Sequence, residues 1–309
     1  MKAIYLDQKG GFEELRLGDI PRPSPVAGEV LVKVHATAIT PTEFQWYPTF
    51  NTRSGDPRPF PIVLSHELSG EIDSISAKEE MWHVGDEVFG LNDWFVNGAQ
   101  AEYCLAPSTA LARKPRCLDH VQASVVPISA LTAWQGLLEK ADLRSDERVL
   151  IHGAAGGVGV FAVQLARWRG AKVTATASST NLDFVRALGA ETVIDYRATR
   201  FENEMRDVDV LFDCVGGEML ERSFGVLKPG GRVVTIASQS ANSPVPRIRD
   251  AFMLVRADGS QLAQIGNLID AGELRVFVED DFPLSKAREA YARAQHGKMR
   301  GKIALRVLE

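Results

Sequence analysis

The stretch Val149-Leu150-Ile151-His152-Gly153-Ala154-Ala155-Gly156-Gly157-Val158-Gly159 decides how the rest of the chain is read. Val149 to His152 reads as a short strand of the kind buried on both faces. Glycines follow at 153, 156, 157 and 159, and Val158, Phe161, Leu165 and Trp168 then recur at helical spacing until Gly170 ends the helix. Val149 to Ala166 carries no formal charge over about the length of a membrane span, but the four glycines put a turn inside it. Strand, glycine turn and amphipathic helix in this order form the first half of a βαβ unit.

Working outward, the same rhythm continues downstream. Lys172 to Ala177 reads as the next strand, and Leu182, Val185 and Leu188 mark a helix closed by Gly189, where a left-handed residue is cheap. Thr192-Val193-Ile194 is a third strand. Val208 to Val215 and Arg232 to Ala237 supply two more, the second launched from a turn at Lys228-Pro229-Gly230-Gly231. Upstream, β-branched runs such as Glu29 to His35 are separated by Pro and Gly clusters, the pattern of a partly antiparallel, barrel-like domain. The last 45 or so residues return to short strands, Val276 to Val278 and Lys302 to Leu305, with helices around 261–271 and 285–295. The expected fold class is therefore α/β: a β-rich domain over 1–122, completed by 264–309, and a doubly wound parallel-sheet domain over 123–263.

Composition limits what such a protein does. The 309 residues suit about two domains. Hydrophobic residues at 45% and charged residues at 24% exclude disorder. Thirty-five basic against forty acidic residues, net −5, provide no positive field to gather nucleic acid or acidic lipid. Three cysteines, Cys104, Cys117 and Cys214, at wide spacing encode neither a disulfide framework nor a cysteine-built zinc site. The N-terminal Met1 to Asp7 lacks the apolar run of a signal peptide, so the expectation is a cytoplasmic protein with no membrane partner.

Between the strand and the helix, the Gly153–Gly159 turn stands where a dinucleotide-binding unit brings its backbone to a pyrophosphate. Small residues are needed where the chain turns, where it meets phosphate and where helix packs on strand, while the helix N-terminus offers free N–H groups. Gly156 and Gly159 fill the second and third places of GxGxxG; Ala154 holds the first, acceptable if its φ stays negative. A Gly-rich turn of any α/β protein is the plain alternative. NAD binders place an acid about 20 residues after the loop. Here Ser178 and Ser179 stand there, which favours a 2′-phosphate and hence NADP; Asn181, Tyr196 and Arg197 would complete the pocket, although Arg197 also suits an exposed polar loop.

At this point the residues match a family: the chain resembles the zinc-independent medium-chain dehydrogenases/reductases of the NADPH:quinone oxidoreductase type. The resemblance covers nearly the whole chain and rests on Val84-Gly85-Asp86-Glu87-Val88-Phe89-Gly90, Leu131-Thr132-Ala133-Trp134, the turn itself, Leu188-Gly189-Ala190 with Val193-Ile194-Asp195-Tyr196, Leu227-Lys228-Pro229-Gly230-Gly231-Arg232 and Gly301-Lys302-Ile303. It implies a GroES-like catalytic domain, a Rossmann domain and hydride transfer from NADPH to a small-molecule quinone or enone. It further implies Thr132 near the nicotinamide, the Gly156 to Gly159 turn at the pyrophosphate, Ser178, Ser179 and Tyr196 at the adenosine phosphate, and a homodimer; Ala155, Asn181, Arg197 and Ala237 are expected as further cofactor contacts.

Ser65-His66-Glu67 is similar to the Gly-His-Glu of the zinc alcohol dehydrogenases. Their Cys-x-Thr-Asp corresponds here to Thr40-Pro41-Thr42-Glu43, and no Cys stands near 127–135, so His66 and Glu67 fall short of the three protein ligands of a catalytic zinc. His66 is expected to be a hydrogen-bonded histidine and no metal is expected. Thr40, Tyr47 and Thr132 become the candidate catalytic groups, with Tyr47 equally suited to packing among Phe44, Trp46 and Phe50. Cys104 and Cys214 read as buried small residues on strands. Two rivals share these residues: an enoyl-thioester reductase, and an NADPH-binding sensor or scaffold with little turnover.

Overall fold

In the computed structural model, which describes residues 1–76, 81–295, 297 and 299–308, the strands in chain order are β1 (Lys2–Leu6), β2 (Arg16–Asp19), β3 (Glu29–Ala38), β4 (Ile62–Val63), β5 (Glu67–Ile75), β6 (Glu87–Leu91), β7 (Tyr103–Pro107), β8 (Leu111–Arg113), β9 (Arg148–His152), β10 (Lys172–Ala177), β11 (Thr192–Asp195), β12 (Val208–Asp213), β13 (Leu227–Thr235), β14 (Val278–Pro283) and β15 (Lys302–Arg306). The chain divides into two units: Met1–Ile128 with Ala257–Gly272 and Val276–Glu309, and Ser129–Arg256 with Glu273–Arg275.

The first unit is built on a mixed sheet of order β14-β15-β3-β5-β6-β8, with β7 also paired to β3, and a small sheet β2-β1-β4. Long β3 takes β5 on one edge and both β7 and β15 on the other, so residues 302–306 complete a sheet begun near residue 29. Val30, Val32 and Val34 point into one core with Leu68, Ile72 and Val88, the alternation expected of a half-buried strand. A second core joins Leu6, Leu15, Ile62 and Leu64 to Tyr291 and Leu305. The strand expected at 276–278 lies at Val278–Pro283 instead. β14 is a sheet-edge strand carrying acids, Glu279 and Asp280 paired with Arg293 and Asp281 with Arg306, and charge on an edge hides it from a hydrophobic pattern.

The second unit is a five-stranded parallel sheet of order β11-β10-β9-β12-β13. Val149, Leu150 and Ile151 of β9 are all buried, as a central parallel strand requires. The helix Gly157–Trp168 buries Val160, Phe161, Val163 and Leu165, while Trp168 stays 40% exposed; the buried face is wider than the predicted stripe. Gly189 closes the helix Leu182–Leu188 at φ 113°. The turn predicted at 228–231 is a bulge inside β13: Leu227 pairs with Val208 and Arg232 with Val210, and the extra residues are accommodated with Gly230 at φ 77°. Among the described residues no helix is long and apolar enough to cross a membrane.

Candidate functional site

The turn after β9 begins with Gly153 at φ 71°, where a Cβ would stand 3.1 Å from the Cys214 Cβ. Ala154 keeps a negative φ and is fully buried, so a methyl group is accommodated at the first GxGxxG place. Gly156 caps the helix Gly157–Trp168 with extended backbone, φ −78° and ψ 176°, and offers no side chain to it. The first intrahelical bond runs from the Val160 N–H to the Gly156 carbonyl, 3.0 Å. The N–H groups of Gly157, Val158 and Gly159 precede it and face the helix N-terminus. A Cβ at Gly156 would meet only the Gly153 oxygen, at 3.4 Å, so the space over the turn is open; one at Gly159 would stand 2.7 Å from Ala154 Cα, against the turn's own backbone. These are the requirements of a diphosphate cradle.

Next to the turn, the ends of β10 and β11 are in register, Ala177 beside Asp195. Ser178 begins a short 3-10 turn, with Ser178 Oγ 3.1 Å from Thr180 Oγ1 and the Asn181 N–H donating to the Ser178 carbonyl at 2.8 Å. The Arg197 N–H donates to Asp195 Oδ1 at 3.0 Å, and its guanidinium stacks 5.5 Å from the Tyr196 ring, with both residues exposed. Ser178, Ser179, Tyr196 and Arg197 thus gather at neighbouring strand ends, while Asn181, 7% exposed, is folded under them. Ala155 is buried within the turn, and Ala237 is buried just past β13, its N–H donating to Thr235 Oγ1 at 3.2 Å. Thr132 is buried on the helix Pro127–Trp134.

Two features of this unit escaped the sequence reading. Asp213 ends β12 beside His152 and accepts from Thr235 Oγ1 at 2.7 Å and from the Val215 and Gly216 N–H groups at 3.1 and 2.9 Å. That network is why the strand stops at Asp213 rather than Val215 and why Cys214 lies past its end; burial still holds the Asp213 carboxyl above its ordinary range against these donors. His152 bonds Thr176 Oγ1 at 2.9 Å and Ser223 Oγ at 2.7 Å, and burial pushes it down to about 3, so it is neutral. An acid followed by two glycines at a strand end was the available signal for Asp213.

The first unit contains a buried polar cluster. Thr40 leads into the 3-10 turn Pro41–Gln45, which buries Glu43. Glu43 Oε1 accepts the Ser65 N–H at 2.8 Å and lies 3.4 Å from His66 Nε2. Asn92 Nδ2 donates to the Asn97 carbonyl at 2.8 Å, which leaves Oδ1 as acceptor, 2.7 Å from His66 Nδ1. His66 therefore carries its proton on Nδ1 and presents a lone pair from Nε2 to Glu43. Burial pushes Glu43 up to about 8 and His66 down to about 4, so near neutrality a protonated Glu43 carboxyl stands beside a neutral imidazole. Beside them, fully buried Glu67 pairs with Lys302 Nζ and accepts the Ile128 N–H at 3.0 Å, and Lys302 Nζ also donates to Thr40 Oγ1 at 3.2 Å. Glu43, Asn92 and Lys302 were not singled out in the sequence, because each gains its role only through distant partners.

His66 is hydrogen-bonded as expected. Among the described residues no third His, Cys or carboxylate donor joins Glu43 and His66 at metal-ligating distance, and the Glu67 carboxylate is taken by Lys302. Cys104 is buried on β7, its thiol pushed up to about 12 by burial. Tyr47 is 58% exposed, so packing among its aromatic neighbours gives way; Phe44 meets Tyr291 edge-on at 5.1 Å and Trp46 meets Trp94 at 5.5 Å without it. Thr40 and Tyr47 belong to the first unit and Thr132 to the second.

Comparison with known proteins agrees with this anatomy. Residues 26–116 match the alcohol dehydrogenase GroES-like domain and 188–305 match a zinc-binding dehydrogenase domain. A chloroplastic quinone-oxidoreductase of Triphysaria versicolor is 31% identical over 99% of this chain and 98% of its own. A mitochondrial NAD(P)H oxidoreductase of Homo sapiens is 30% identical over 100% of this chain and 89% of its own. The quinone oxidoreductase structure from Coxiella burnetii superposes with a TM-score of 0.92 at 31% identity, covering 100% of this chain and 99% of that one. With a GroES-like unit, a Rossmann-like parallel sheet and relatives matched end to end, the chain belongs to the medium-chain dehydrogenase/reductase family, among its quinone oxidoreductase-like members.

Proposed function

We propose that the protein is an NADPH-dependent reductase that passes a hydride to quinones or α,β-unsaturated carbonyls without a catalytic zinc. The observation that carries the reading is the turn at Gly153–Gly159, whose open N–H groups and absent side chain at Gly156 suit a dinucleotide diphosphate. When bound, a dihydronicotinamide would supply the hydride; holding it, choosing it and stabilising the acceptor fall to the chain.

Ala155 to Gly159 hold the diphosphate through backbone. The Ser178 and Ser179 hydroxyls and the Arg197 guanidinium take a 2′-phosphate, with Tyr196 as the stacking face and Asn181 and Ala237 shaping the walls. In the first unit, the Lys302 ammonium donates to Thr40 Oγ1, which leaves the Thr40 hydroxyl proton for an oxyanion developing on the acceptor. Tyr47 offers an exposed ring and hydroxyl, and Thr132 a further hydroxyl toward the nicotinamide. Zinc is unnecessary for acceptors of this class, and His66 with Glu43 alone does not supply the three protein ligands a catalytic zinc takes. A cytoplasmic homodimer paired along β13, an outer strand of its sheet, completes the proposal; light scattering and cell fractionation test those two parts.

The deciding assay is steady-state NADPH oxidation against a panel of quinones, enones and enoyl thioesters. Turnover with the first two classes, lowered in kcat by Thr40→Val, supports the reading. Turnover confined to thioesters, or tight NADPH binding with no turnover on any acceptor, overturns it in favour of an enoyl-thioester reductase or a nucleotide-binding sensor.

A further inference from the structure

Three side chains that the reductase reading leaves unused stand together in the first unit. β3 bulges at His35: Val34 pairs with Gly70 and Ala36 with Ser69, which leaves His35 as the extra residue between them. A bulge re-aims its side chain. Here His35 Nε2 is buried without a hydrogen-bond partner, 3.5 Å from Glu71 Oε1 on β5. His120 opens the helix His120–Ser124, fixed there by the reciprocal cap of Asp119 and Gln122, and its ring centroid lies 4.1 Å from that of His35.

The surrounding charges ask for a cation. Glu71 lies directly opposite Glu87 in the β5–β6 ladder, and like charges facing across strands destabilise the pair. Lys114 Nζ lies 3.5 Å from Glu87 Oε2 and answers one carboxylate; among the described residues the one ion pair of Glu71 is with the His35 ring, while Lys33 stands opposite it in the β3–β5 ladder. His120 Nε2 lies 3.2 Å from Glu87 Oε1.

The second imidazole is also oriented for ligation. Ser69 Oγ donates to the Val88 carbonyl at 3.1 Å and meets His120 Nδ1 at 2.8 Å. With that hydroxyl proton committed, His120 donates from Nδ1 and its lone pair sits on Nε2, the arrangement by which outer hydrogen bonds aim a metal-binding histidine. One ligand atom from each of His35, Glu71 and His120 lies within 4.8 Å of the others. A metal at about 2.0–2.2 Å from each needs donors about 3.4 Å apart, so roughly an ångström of side-chain adjustment closes the site.

We propose that His35, Glu71 and His120 bind one divalent transition-metal ion of the zinc class, with Glu87 or water as the fourth ligand. Two imidazoles and a carboxylate select zinc, cobalt or nickel over magnesium or calcium. The ion ties the bulge of β3 to β5 and to the helix His120–Ser124; it is a structural site, independent of the hydride chemistry and of His66.

The test uses the full chain, stripped with a chelator and dialysed. It is titrated with Co2+, followed by its visible absorption, and with Zn2+ by calorimetry, with Mg2+ as control. The proposal expects one Co2+ per chain, displacement by Zn2+, no response to Mg2+, and a rise in Tm on saturation with Zn2+. His35→Gln and His120→Gln should each weaken binding by about tenfold or more, because loss even of an outer hydrogen bond costs 10–100-fold, while His66→Gln leaves it unchanged. Glu71→Gln is read in the same way if either histidine variant fails to fold. No stoichiometric binding, or binding that survives all three substitutions, overturns the proposal and leaves the reductase reading intact. Binding abolished by His66→Gln alone overturns both this proposal and the zinc-free reading.

Discussion

The glycine turn of the second unit is built from the backbone of consecutive residues 153–159, whereas the polar cluster of the first draws side chains from positions as far apart as 67 and 302. The turn depends on shape, since what matters at Gly153, Gly156 and Gly159 is the absence of a Cβ. The cluster depends on charge balance, since Glu67 is fully buried and Lys302 is its counter-ion. A substitution in the turn should therefore act through space, and one in the cluster through an uncompensated charge.

The largest effect is expected in the cluster. Lys302→Ala strands the Glu67 carboxylate and should destabilise the protein by about 3–5 kcal/mol in urea unfolding, with Glu67→Gln in the same chain recovering part of the loss. Additive losses would show that the two groups are not a pair. Next comes Gly159→Ala, whose methyl meets the Gly153 and Ala154 backbone; about 1–3 kcal/mol is expected from overpacking. Gly156→Ala is its foil. The methyl meets only the Gly153 oxygen at 3.4 Å and φ is −78°, so stability should hold while NADPH affinity drops about tenfold, roughly 1.4 kcal/mol. Equal behaviour of the two variants would erase the distinction between helix packing at Gly159 and phosphate approach at Gly156.

A pH-dependent effect is expected in the cluster and not in the turn. Glu43, raised from its ordinary 4.5 to about 8, keeps a proton in the folded protein that the unfolded chain gives up, so it lowers stability progressively as pH rises from 4.5 to 8. His66, lowered from 6.5 to about 4, acts the other way, raising stability between pH 4 and 6.5. Only Glu43 acts between 6.5 and 8, where Glu43→Gln should gain on the parent protein by up to about 2 kcal/mol. A constant difference across that window would mean that Glu43 is already ionised.

The turn was legible because its instructions are local: strand, glycines and helix lie within about twenty residues, and each glycine answers a backbone requirement that is met in place. The presence of successive parallel strands followed from the same rhythm, and Gly189 marked a helix end that the structure keeps. The bulge at 228–231 was read as a turn because Pro and Gly signal both. β14 was misplaced because Glu279, Asp280 and Asp281 mask its alternation. The cluster could be read only in part. His66 was visible, but the protonation it adopts depends on Asn92, which is fixed by Asn97, and on Glu43, which burial keeps protonated. None of those dependencies has a sequence spacing. His35 was invisible for a similar reason, since a bulge is a property of the paired strand.

The central claim is tested most directly by calorimetric titration of the purified chain with NADPH and NADH side by side. The account predicts NADPH binding at least about tenfold tighter, a difference of roughly 1.4 kcal/mol supplied by Ser178, Ser179 and Arg197 and removed by Arg197→Ala with Ser178→Asp. Equal affinities, or no heat with either nucleotide, would contradict it.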